Sequence, residues 1–135
     1  MVHEPSVLAD RRTPTGVELV TLAPATVRAR AKLKERRPIV FLNACQTSRQ
    51  APSLTDWGGW PRAFWETGVG VFVGTSWSVY EGPAVAFASS FYEALLSGFS
   101  LAEAAASGRT AAKATGDGSW LAYVVYGDPL ARVRS

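Results

Sequence analysis

The chain has 135 residues, 14.4 kDa, 47% hydrophobic residues and five tryptophans, which is enough for one domain with a real core and too little for two. No apolar run approaches the roughly 20 residues of a membrane span, and the N-terminal MVHEPSVLADRRTP lacks a signal-type apolar region, so a cytoplasmic protein without membrane contact is expected. One cysteine and one histidine allow neither an internal disulfide nor a soft-ligand metal cluster, and no metal or cofactor is expected.

The net charge of +3 raises nucleic-acid binding as a reading. Yet Arg28, Arg30, Lys32, Lys34, Arg36 and Arg37 crowd into one stretch without interleaved aromatics. That pattern reads as a solvated helix face, and nucleic acid is not the expected partner.

In chain order, residues 1–16 hold Pro5, Pro14 and Gly16 without periodicity and read as a loop or unordered end. VELVTL (17–22) alternates as a half-buried strand, and Pro24 opens PATVRARAKLKE as a helix that Pro38 stops. IVFLNA (39–44) is a continuous apolar run, the signature of a parallel strand covered on both faces. QTSRQAPSLTDWGG is a long polar connection of the kind that carries function. WPRAFWET reads as a helix, VGVFVGT (69–75) as a second buried strand and SWSVYEG as a further loop. Ala84, Phe87, Ala88, Phe91 and Leu95 then mark an amphipathic helix from Pro83 to Gly98. Ser100 and Glu103 form a capping-box pair for another helix, and WLAYVVYGD (120–128) reads as the last strand.

Strands alternating with helices predict an α/β domain over 17–135, with parallel pairing and right-handed crossovers. Sites in such sheets form at the C-terminal strand edge. Three segments are expected to converge there: Cys45 with its polar loop, Ser76–Gly82 and Gly127–Pro129.

Cys45 admits two readings from its residues alone. It is a small core residue, or it is a nucleophile at a strand end, where the N–H groups of the next turn lower a thiol's pKa and receive an oxyanion. His3 is the only imidazole available as a base. Glu81 is either a first-turn acid favoured by the helix dipole or a charged pocket residue. Asp128 reads as turn chemistry in Gly127-Asp128-Pro129. Trp57, Trp60 and Trp65 are either core or a stacking surface.

Asn43-Ala44-Cys45-Gln46-Thr47, Gly74-Thr75-x-Trp77-x-Val79, Phe91-Tyr92-x-x-Leu95 and Tyr126-Gly127-Asp128-Pro129 together resemble the C-terminal part of a CHAT domain. CHAT domains are a caspase-like and separase-like cysteine peptidase family of bacteria, and the likeness spans 37–129. The resemblance implies a three-layer α/β/α sandwich with a mostly parallel sheet and an endopeptidase acting on protein or peptide. It implies Cys45 as nucleophile, His3 as its base, and Asn43 and Gln46 beside the nucleophile and oxyanion. Trp77 then stands in a substrate-pocket loop, with Glu81 placed to receive a basic P1 side chain.

The chain departs from the family pattern at the base. The family's histidine ends a hydrophobic strand and precedes a glycine, whereas His3 follows only Met1 and Val2 and precedes Glu4. The family's N-terminal half is expected to be missing, leaving an unpaired sheet edge open to a second copy or another chain. The alternative reading is a truncated or inactive CHAT domain that serves as a protein-interaction module.

Overall fold

The computed structural model describes residues 7–22, 24–42 and 59–134. The elements run β1 (Val7–Thr13), β2 (Gly16–Leu22), α1 (Pro24–Arg30), β3 (Ile39–Phe41), α2 (Trp60–Thr67), β4 (Val71–Thr75), α3 (Glu81–Leu96), α4 (Leu101–Lys113) and β5 (Tyr123–Gly127). A 3-10 turn, Gly118–Ala122, leads into β5.

The loop expected over 1–16 is, from residue 7 onward, one arm of a hairpin. β1 and β2 pair antiparallel from Val7 opposite Leu22 to Thr13 opposite Gly16, with Pro14 and Thr15 exposed between them. The proline that argued against a strand sits in the turn, where its fixed φ is an asset and its missing N–H costs no ladder bond.

β4 is the middle strand of a separate three-stranded sheet, ordered β3-β4-β5. Every residue of VFVGT is buried, because the side chains of a strand alternate between two faces and both faces are covered. Val71 and Val73 pack with Ile39, Phe41, Tyr123 and Val125 against Phe87, Phe91 and Leu95 of α3 and Ala104 and Ala112 of α4. Phe72 packs with Val40, Leu42 and Tyr126 against Val27 of α1 and Trp60, Ala63 and Phe64 of α2. The chain is thus mixed α/β, with one helix pair on each side of a small sheet.

The helix expected over 24–35 ends at Arg30. Beyond it the Leu33 N–H donates to the Thr67 carbonyl at the end of α2, 2.9 Å, so the chain leaves the helix to dock on its neighbour. Gly68 takes the left-handed conformation that closes α2, at φ 97°.

α3 starts slightly before Pro83, and Gly98, at φ 89°, turns the chain sharply toward α4. The Ser100 hydroxyl accepts from the Glu103 N–H and the Glu103 carboxylate accepts from the Ser100 N–H, a complete capping box. The two helices come close because Gly108 has no side chain: a Cβ there would stand 3.0 Å from the Phe87 ring.

The pairing expectation needs correction. β3 and β4 are parallel, but β4 and β5 are antiparallel. Two helices lie between β4 and β5, so the chain travels down α3 and back up α4 and must enter β5 in the reverse sense. WLA, expected in the strand, forms the 3-10 turn instead, where the Asp117 carboxylate accepts from the Ser119 N–H at 2.6 Å.

Candidate active-site edge

Because β3 and β4 run parallel, both deliver the chain to the same sheet edge. The ladder carries on one residue past β3, where the Leu42 N–H donates to the Val73 carbonyl, 2.8 Å. β4 ends at Thr75, which is buried, and among the described residues its hydroxyl has no hydrogen-bond partner.

The next residue, Ser76, donates its N–H to the Ala122 carbonyl at 2.8 Å, tying the start of the loop to the entry of β5. Val79 is buried in the α3/α4 core and fixes the far side of the same loop. Held at two points, the loop turns its remaining rings outward: Trp77 is 51% exposed and Tyr80 76%. Leu121, next to the Ala122 anchor, is also exposed. Glu81 follows as the first residue of α3, exposed, where the helix dipole favours a carboxylate. This edge therefore combines exposed aromatic surface with the Glu81 carboxylate.

Trp77 stands in the loop after β4 and Glu81 at the start of α3, both exposed. His3, Asn43, Cys45, Gln46 and Trp57 lie outside the described residues. Trp60 is fully buried in the α1/α2 core, with its indole N–H unpartnered among the described residues, whereas Trp65 is partly exposed. These two therefore make no joint stacking face.

Gly127–Pro129 does not converge on this edge. Gly127 pairs with Val71, at the start of β4, so the antiparallel run of β5 carries it to the opposite side. Asp128 there works as a turn former, its carboxylate accepting from the Leu130 N–H at 2.9 Å and its carbonyl from the Ala131 N–H at 3.0 Å. Sequence reasoning passed over Tyr80 and Leu121, whose exposure follows from the tethers at Ser76 and Val79 and has no signature in local pattern.

Among the described residues no group of three or more His, Cys, Asp or Glu is placed to hold a metal ion. No helix among them is long and apolar enough to cross a membrane.

No curated protein matches the chain. The family model for the CHAT domain matches residues 9–128, starting inside β1 and ending just after β5. The match takes in the hairpin that precedes the motif-bearing segment as well as both helix pairs and the three-stranded sheet, so the chain belongs to the CHAT-domain family.

Proposed function

We propose that the protein is a caspase-like cysteine endopeptidase whose nucleophile is Cys45 and whose scaffold is the three-layer sandwich of that family. The observation that carries the reading is the parallel β3–β4 pair. Cys45 lies three residues beyond Leu42, within about 11 Å of it by the reach of the chain, and Leu42 is bonded to the strand that leads to Trp77. Nucleophile and peptide-binding loop would then leave the sheet side by side.

In this reading the His3 imidazole takes the thiol proton. The Cys45 thiolate attacks the scissile carbonyl carbon, forming a C–S bond, and the resulting oxyanion is met by N–H groups of the turn flanked by Asn43 and Gln46. Collapse expels the amine, which carries the proton away, and water hydrolyses the thioester to release the acid and the free thiol. Trp77 and Tyr80 offer ring faces to an extended protein or peptide substrate, and Glu81 an anion to a basic P1 side chain. β3, an edge strand among the described residues, offers its free side to a second copy of the chain. A cytoplasmic setting suits a reduced thiol.

Glu4 after His3, where the family pattern has glycine, favours the second reading, a domain that keeps the fold and serves as an interaction module. Alkylation of Cys45 against pH separates the two. A peptidase shows an inflection well below the roughly 8.5 of a free thiol, moving upward in His3→Ala, with cleavage and probe labelling abolished in Cys45→Ala. A thiol that titrates like free cysteine and ignores His3 establishes the module.

A further inference from the structure

The opposite edge of the sheet, where β3 and β4 begin and β5 ends, encloses a cavity of about 590 Å³. Four arginines line it, Arg36 and Arg37 from the turn before β3 and Arg132 and Arg134 from the segment after β5, together with two acidic residues, Glu35 and Asp128. Asp128 is engaged in its own turn, and Arg132 donates to the Gly98 carbonyl. Arg36, Arg37 and Arg134 make no ion pair or side-chain hydrogen bond among the described residues. Among its lining residues Val71, Leu95 and Leu101 form an apolar floor.

The backbone on the β3 side is held in an unusual form. Arg37, at φ 44°, is the one non-glycine residue with positive φ among the described residues. The Arg37 carbonyl lies so close to the start of β4 that a Cβ on Gly70 would stand 2.4 Å from it. Such a conformation costs on the order of 1 kcal/mol or more and persists only where its surroundings impose it, a frequent mark of ligand-binding segments.

We propose that this cavity binds a small organic anion, a carboxylate or phosphate borne on a short aliphatic chain. Guanidinium forks match the planar oxygens of either headgroup, the floor shelters carbon, and the volume is that of an ordinary small-molecule site. Among the described residues no aromatic ring lines the cavity. The site stands at the far end of β4 from Trp77 and is independent of the peptidase reading. A bound anion would clamp the turn before β3 to the segment after β5.

The test is an amide-resolved NMR titration of the full chain with hexyl phosphate, with hexanoate run alongside to rank the headgroups and inorganic phosphate and hexanol as the separate halves. The expected result is saturable shifts centred on Ile39, Gly70, Val71, Leu101 and Ala131 with either amphiphile, and much weaker effects with each half. Arg36→Gln with Arg134→Gln, both exposed, keeps the unliganded spectrum and weakens binding by about tenfold or more. Absent or scattered shifts, or binding unchanged in the double variant, would overturn the site. Inorganic phosphate binding as tightly as hexyl phosphate would overturn the role of the floor.

Discussion

On one face of the three-stranded sheet the covering helices, α3 and α4, run 16 and 13 residues; on the other, α1 and α2 run 7 and 8. In the long pair α4, though not α3, is capped by a reciprocal hydrogen-bonded box, and the core is a ring cluster in which Phe87 and Tyr123 stack at 3.8 Å between centroids, 6° from parallel. The short pair has no side-chain cap on α2 and is joined at its surface by Arg28 of α1 on the Glu66 carboxylate, which Arg62 within α2, and then Arg28, hold below the usual carboxylate range. Helices of two turns do not stand alone in water, and exposed ion pairs add little. The α1/α2 layer is therefore held by its packing on Phe72, Val40 and Tyr126, while α3 and α4, besides packing on the sheet, approach each other closely at Gly108 and Phe87. Segments used for function tend to come from the less stable part of a fold, and α2 is the helix that follows the segment containing Cys45.

The strongest test of this contrast is a pair of truncations. Phe87→Ala, at a fully buried ring, should cost about 4–5 kcal/mol in urea unfolding, whereas Phe64→Ala, on the short-helix face, should cost about 3 kcal/mol because its surroundings can relax. Equal losses, or a larger one at Phe64, would break the comparison.

A smaller effect sharpens it. Gly108→Ala gains about 1 kcal/mol of helix propensity but drives a methyl onto the Phe87 ring, which Tyr123 and Phe91 flank at 3.8 and 5.8 Å. Overpacking of about 1–3 kcal/mol should win, giving a net loss near 1 kcal/mol in the same assay.

The smallest effect is at the cap. Ser100→Ala should cost about 1 kcal/mol near neutral pH. The Ser100 backbone N–H, then its hydroxyl, holds the Glu103 carboxyl below its ordinary 4.5. A lowered folded-state pKa stabilises above the unfolded value and loses that stabilisation as pH falls through the folded one. The gap in melting temperature between wild type and variant should therefore narrow below about pH 4.5. A gap that widened in acid would assign the cap to something other than this carboxylate.

What the sequence discloses follows how local each signal is. The helical spacing of Phe87, Phe91 and Leu95, the Ser100–Glu103 pair and the valine run of β4 are set within a few residues, and each marks an element found close to its expected bounds. VLADRRT, with two arginines and an aspartate, has no alternating apolar pattern in its sequence, and its turn is Pro-Thr instead of the glycine-rich pair that advertises a hairpin. The reversal of β5 was available from a count of helices, but an expectation of uniform parallel pairing obscured it. At the candidate edge, the loop holding Trp77 was legible as a loop because a polar break follows a buried strand. The arginine-lined cavity was not, since Arg36 and Arg132 meet only because β3 and β5 flank the same strand.

β3 is three residues long, half-buried throughout and bonded on one side only among the described residues. It is fastened to the rest of the fold by its ladder to β4 and by the Phe41 ring, which meets Phe87, Phe91, Tyr92 and Tyr123. The chain therefore passes from β3 toward residue 43 off a strand with one ladder partner among the described residues. One ring thus does for β3 what a second neighbouring strand does for β4, and Phe41→Ala would loosen the strand at its aromatic anchor in the larger core.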